Sequence, residues 1–243
     1  MQPKIIKNDT LYITGLTGDG AKTGEVWNEF DSKYNDDPFQ KTNENGYEIR
    51  FYNSEKPTIQ GKDVHVGFAS ENAIADGSDF ETVTIPATEY AVFEVLVANG
   101  YDSGNAEMDK WLADNSAQYK PLLIDGVGFI VECYNEKFKD GNKPDSIVEM
   151  WVPVYRLCQS CAMPMTKPEK FGTEADGRLN RNYCCYCYAD GDFTTKQTLE
   201  EAVEGNIQFW REENDKSDDE ARARIMEVFP KLKRWAISAE DAK

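Results

Sequence analysis

The chain has 243 residues and a formal net charge of −17, with hydrophobic residues at 40% and aromatic residues at 12%. That apolar content is enough for a packed core and excludes a disordered chain. A surface this acidic repels phosphate backbones, so direct nucleic-acid binding is disfavoured. No stretch approaches the roughly 18 apolar residues that span a membrane. Residues Met1 to Asn8 hold no apolar run of signal-peptide length. The sequence reads as cytoplasmic, where paired cysteines serve as metal ligands more often than as disulfides.

In chain order, Thr10 to Thr14 reads as a strand, followed by a glycine-rich turn (Gly15, Gly18, Gly20). A helix is predicted from Thr23 to Tyr34, with Val26, Trp27 and Phe30 at helical spacing. Asp36-Asp37-Pro38 and Asn43-Glu44-Asn45-Gly46 read as breakers. Strands follow at Tyr47 to Asn53 and Val64 to Ala69, with a turn at Gln60-Gly61-Lys62-Asp63 between them. This β-α-β-β order then recurs: a strand at Glu89 to Val97, a helix at Asn105 to Ala113, and strands at Val127 to Tyr134 and Ile147 to Val154. Glu48 to Asn53 can be laid on Ile130 to Asn135, with Glu55-Lys56 and Glu136-Lys137 following in turn. The expected fold is α+β. Two β-α-β-β halves form one sheet, with helices on one face and a ligand groove on the other.

Cys158-Gln159-Ser160-Cys161 and Cys184-Cys185-Tyr186-Cys187 are separated by a longer insert, Ala162 to Tyr183. Two such C-x-x-C knuckles suit a tetrahedral zinc site with ligands Cys158, Cys161, Cys184 and Cys187. Two disulfides in a secreted protein are the competing reading. Four thiolates close the coordination shell, so the zinc would be structural. Lys167, Lys170, Arg178, Arg181 and Lys196 are balanced by Glu169, Glu174, Asp176, Asp190 and Asp192, which leaves this segment no basic footprint. Beyond it, Thr198-Leu199-Glu200-Glu201 and Ser217-Asp218-Asp219-Glu220 are capping boxes that open two helices. Pro230 breaks or kinks the second. The expected division is a sheet domain over 1–155, a zinc ribbon over 156–196 and a helical tail over 197–243.

Glu132 stands out because it sits in an apolar strand, Gly128 to Tyr134. Alternation places Ile130, Glu132 and Tyr134 on one face and Cys133 on the other. A carboxylate among apolar neighbours is costly unless paired or facing a cavity. It serves either as a counter-charge for a cationic ligand or acid–base group, or as an ordinary solvent-facing glutamate. Trp151 on the last strand and Tyr90 on an earlier one are aromatics suited to a cationic or planar ligand, with core packing as the alternative. Trp27 and Trp111 read as core, and His65, the one histidine, as an ordinary strand residue. No Ser-His-Asp order, P-loop or dinucleotide fingerprint is present.

These residues resemble known families. The two halves, the run Ile85 to Phe93, the helix segment Met108 to Leu112, Glu132, and Glu149-Met150-Trp151-Val152-Pro153-Val154 resemble the GyrI-like small-molecule-binding domain, also called the effector-binding domain. That resemblance implies a groove for hydrophobic, often cationic, compounds, with Glu132 as the charged contact and Trp151 stacking on the ligand; Tyr90 and Tyr134 complete the candidate set. Some relatives hydrolyse cyclopropane-bearing alkylating compounds with a glutamate assisting water, so an enzyme using Glu132 is one alternative. Many relatives carry an N-terminal helix-turn-helix, whereas this chain begins with its first strand. An effector-sensing regulator would therefore act through a protein partner. The segment Cys158 to Cys187, with Gly172 to Gly177 and the Thr198 helix start, is similar to a bacterial zinc-ribbon domain, with Ala162 where glycine is usual.

Overall fold

The computed structural model describes residues 2–52, 62–75, 78–214 and 217–236. Asn53, Glu55-Lys56 and Gln60-Gly61 lie outside these. The chain forms two compact units, Met1–Trp111 with Pro121–Val154, and Leu112–Lys120 with Tyr155–Lys243.

The first unit contains β1 (Lys4–Asn8), β2 (Leu11–Gly18), α1 (Thr23–Asp36), β3 (Lys41–Tyr52), β4 (Val64–Ser70), β5 (Glu81–Ile85) and β6 (Thr88–Leu96). The chain continues through α2 (Tyr101–Asp114), β7 (Tyr119–Pro121), β8 (Leu123–Ile124), β9 (Val127–Tyr134) and β10 (Ile147–Leu157). The main sheet runs β1-β6-β10-β9-β3-β4-β2-β5, and neighbouring strands in this order pair antiparallel. The fold is α+β, and both β-α-β-β halves are present. In each half the first strand (β2 or β6) lies farthest from the other half, flanked on its outer side by β5 or β1, the last strand lies next to it, and the middle strand meets the other half at β3–β9.

That central ladder pairs Ile49 with Val131. The sequence overlay makes the same two residues equivalent, so the pseudo-twofold axis passes through this pair. Gly46 faces Tyr134 and Gly128 faces Tyr52 across the ladder. These two pairs are exchanged by the axis. Gly46 leaves room for an aromatic ring, since a Cβ there would meet Trp27 Cη2 at 3.2 Å.

Both helices pack on the same face of the sheet. Val26 and Phe30 of α1 lie with Val64, Val66 and Phe80. From α2, Trp111 meets Phe93 edge-to-face at 6.1 Å, and Gly104 lies against Val95 and Met150. The opposite face buries Ile13, Tyr47, Ile49, Tyr90, Val92, Val131, Cys133 and Trp151. His65 is also fully buried. Its Nε2 donates to the Ile13 carbonyl at 2.9 Å, which leaves Nδ1 to accept from Thr17 Oγ1 at 2.9 Å. Burial holds its pKa below the ordinary value.

Two local expectations need correction. Gly15 and Gly18 belong to strand β2 and not to a turn. Gly15 faces Gly67 of β4, and a Cβ on Gly15 would stand 1.8 Å from the Val66 carbonyl oxygen. These glycines mark a close backbone crossing. Asn43 to Gly46 does not break the chain but lies inside β3, where the register shifts between Lys41 and Gly46. A bulge absorbs the turn-forming residues without ending the strand.

The second unit contains β11 (Pro164–Met165), a hairpin of β12 (Phe171–Thr173) and β13 (Leu179–Cys184), and a hairpin of β14 (Tyr188–Ala189) and β15 (Asp192–Phe193). Helices α3 (Leu199–Asn214) and α4 (Asp218–Val228) follow. Both capping boxes form. Thr198 N–H donates to Glu201 and Glu201 N–H to Thr198 Oγ1. Ser217 and Glu220 do the same. Helix α4 ends at Val228 and Pro230 lies in the short 3₁₀ turn that follows. Val203, Ile207, Ala221, Ile225, Phe229 and Leu232 bury one apolar core.

Candidate functional site

Alternation along β9 sends Glu132 and Tyr134 to the face that carries the helices. The β3–β9 register places Glu48 directly opposite Glu132. Both carboxylates are buried, at 5% and 7% side-chain exposure. Arg50 stands between them. Its Nη2 donates to Glu48 Oε2 at 2.6 Å, while its Nε lies 3.5 Å from Glu132 Oε1. Nε is buried and makes no hydrogen bond. Arg50 Nη1 donates to the Gly20 carbonyl at 3.2 Å, which ties the guanidinium to the loop before α1.

Aromatic groups from both helices converge on these charges. Trp27 Nε1 of α1 donates to Glu48 Oε1 at 2.7 Å, and its ring meets Tyr134 edge-on at 6.4 Å. Tyr134 donates its hydroxyl to Glu132 Oε2 at 2.8 Å. Tyr101, at the start of α2, interacts with both Tyr134 and Glu132. Glu132 is held above the ordinary carboxylate range, first by burial and then by the Glu48 charge; Arg50 and the Tyr134 hydroxyl pull it back. Burial pulls Arg50 down, but Glu48 and Glu132 outweigh it and its pKa is raised. Tyr134 is raised by burial and by Glu132. A carboxylate held this way can meet a cation or exchange a proton.

The four candidate ligand residues are not brought together. Trp151 pairs with Val131 and so points to the face opposite Glu132. Its ring lies 5.4 Å from Tyr90 and 6.1 Å from Tyr47, edge-to-face in each case. Tyr90 is fully buried, its hydroxyl has no partner, and burial raises its pKa. Burial also pushes Cys133 up to about 12, so it is a neutral thiol. Glu48, Arg50, Trp27 and Tyr101 are the members that sequence reasoning missed.

In the second unit, the Sγ atoms of Cys158, Cys161, Cys184 and Cys187 lie within 4.8 Å of one another. Cys161 and Cys184 are 3.8 Å apart. A tetrahedron with metal–sulfur bonds of about 2.3 Å has edges of about 3.8 Å, so the donor set fits a tetrathiolate metal. Cys184 N–H donates to Cys158 Sγ at 3.2 Å, the kind of contact that steadies a thiolate ligand. Ala162 takes φ = 61°, the left-handed conformation in which glycine is at ease. Cys185 lies outside the cluster, and its N–H donates to the Lys170 carbonyl.

The tail closes on the first knuckle. Trp235 Nε1 donates to the Ser160 carbonyl at 2.7 Å. Arg234 donates to Ser160 Oγ at 3.0 Å and Thr195 O at 2.6 Å, and its guanidinium lies over Phe193 at 4.1 Å. Residues 157–236 match the family described as "Putative zinc ribbon domain". The family match takes in the knuckles and both tail helices.

Similar solved structures each cover 63–64% of the chain. One is SAV2435 bound to tetraphenylphosphonium, at 15% identity and TM-score 0.44, covering 63% of this chain and 94% of that one. Another is described as a "Putative bacterial transcription regulation protein" from Staphylococcus aureus MU50, at 14% identity and TM-score 0.42, covering 63% and 98%. A third is the EcmrR C-terminal domain, at 16% identity and TM-score 0.45, covering 64% and 98%. No curated protein matches the chain. Among the described residues, no helix is long and apolar enough to cross a membrane.

Proposed function

We propose that the sheet unit binds a hydrophobic or cationic small molecule on its helix-bearing face, with Glu132 as the charged contact. The observation that carries this reading is a buried carboxylate that is only loosely paired with Arg50, accepts from Tyr134 and interacts with Tyr101, while Trp27 packs on Tyr134. A cation that sheds its water there meets both a negative charge and electron-rich rings. The ribbon's metal is zinc, closed by four thiolates and structural in role. The protein acts in the cytoplasm, where those thiols stay reduced. Any regulatory role runs through a protein partner and not through direct DNA contact. Isothermal titration with tetraphenylphosphonium tests the binding role. Glu132→Gln should weaken binding at least tenfold, about 1.4 kcal/mol. Unchanged affinity in that variant would remove Glu132 from the site.

A second reading is favoured by the raised pKa of Glu132. A carboxylate moved towards neutrality is a better general base, and Tyr134 steadies it. The protein would then hydrolyse strained electrophiles of the cyclopropane type. Turnover of such a compound, lost in Glu132→Gln, supports it; stoichiometric binding without product rejects it.

A further inference from the structure

We propose that Arg50 sets the charge selectivity of the Glu132 site: pinned on Glu48, it neutralises one of two facing carboxylates and leaves a site for a single positive charge. This rests on the binding role proposed above. With both carboxylates ionised, Glu48, Arg50 and Glu132 sum to one negative charge. The guanidinium is held firmly by Glu48 at 2.6 Å and by the Gly20 carbonyl, but only loosely by Glu132 at 3.5 Å. Both oxygens of Glu48 are satisfied, by Trp27 and Arg50, whereas Glu132 accepts from Tyr134 on Oε2 and has only the long Arg50 contact on Oε1, which is the oxygen open to a ligand.

Position follows from the pseudo-twofold axis. The overlay that centres on Ile49 and Val131 makes Arg50 the counterpart of Glu132. One half thus supplies a tethered cation at the position where the other supplies an anion. At short range and low exposure, adding or removing one charge changes cation binding strongly. The Arg50 side chain keeps 31% exposure, so it can be replaced without leaving a sealed void.

The test uses a matched pair of probes on one scaffold, N-methyl-4,4′-bipyridinium (one charge) and its N,N′-dimethyl relative (two charges), titrated calorimetrically into the full chain. The wild type should favour the monocation. Arg50→Met should raise affinity for the dication at least tenfold more than for the monocation. Arg50→Lys keeps the charge and should keep the preference. Glu48→Gln frees Arg50 to pair with Glu132 and should weaken both probes tenfold or more. The double variant Glu48→Gln with Arg50→Met again leaves one negative charge and should recover wild-type monocation affinity. If the wild type binds but Arg50→Met leaves the preference unchanged, the role of Arg50 is overturned and the binding role stands. If no variant binds either probe or tetraphenylphosphonium, both are overturned. Thermal unfolding of each variant separates loss of fold from loss of binding, and Glu48→Gln reads the same charge balance should Arg50→Met not fold.

Discussion

Glu48 and Glu132 face each other directly across the central β3–β9 ladder, with both carboxylates buried. Like charges in this relation destabilise a sheet. Arg50 relieves one side of the conflict and leaves Glu132 ionised only at a cost, which places a predictable pH dependence on the fold.

The folded pKa of Glu132 lies above its unfolded value, chiefly through burial and then Glu48. Its contribution to stability is fully present below the unfolded pKa, near 4.3, and is lost as pH rises through the folded pKa. Glu132→Gln removes that loss. The variant should therefore melt higher than the wild type at pH 8, by roughly 2–4 °C for each kcal/mol regained. The difference should close towards pH 4. A variant less stable than wild type at pH 8 would show that Arg50 and Tyr134 already compensate the buried charge.

The metal centre predicts a sharp contrast between adjacent cysteines. Metal analysis should find about one zinc per chain, since structural zinc contributes roughly 10 kcal/mol or more to small ribbon folds. Cys184→Ser should lose the metal and the cooperative unfolding of the second unit. Cys185→Ser should retain both. Chelation of the wild type should reproduce the Cys184→Ser behaviour.

The Trp235 indole donates to Ser160, lies under the Arg234 guanidinium and packs near the buried Phe229–Leu232 segment. Trp235→Ala should cost about 3 kcal/mol and speed metal release to a chelator. Trp235→Phe keeps the ring and should restore most of the stability, while release stays faster than wild type because the Ser160 bond is gone.

Glycine positions give a backbone test. A methyl group at Gly15 would overlap the Val66 carbonyl, whereas at Gly141 it meets nothing within 4 Å. Gly15→Ala should lower the melting temperature by about 6 °C or more, given an overpacking cost near 3 kcal/mol. Gly141→Ala should melt within about 1 °C of wild type, as surface substitutions do.

Much of this was legible because the signals are local. The residues behind each signal — the cysteine spacing, the two capping boxes and the 3.6-residue stripe of α1 — lie within a few residues of one another. Period two alone placed Glu132 with Tyr134 and apart from Cys133. The position of Trp151 relative to Glu132 was not legible. It depends on the β9–β10 register, which is fixed by pairing between distant residues. Trp27 read as core because helical spacing cannot show that its indole N–H reaches Glu48 across the sheet face. Arg50 could have been found, since the overlay of Glu48 to Asn53 on Ile130 to Asn135 already set it against Glu132. Strands β1 and β5 are five residues each, too short for periodicity to assert.

The axis through Ile49 and Val131 has one further consequence. Two identical halves meeting there would have to present the same side chain at both equivalent positions, arginine against arginine or glutamate against glutamate. Joining the halves in one polypeptide removes that requirement. Each copy is free to diverge at the seam, and an asymmetric salt link becomes accessible to an otherwise symmetric architecture.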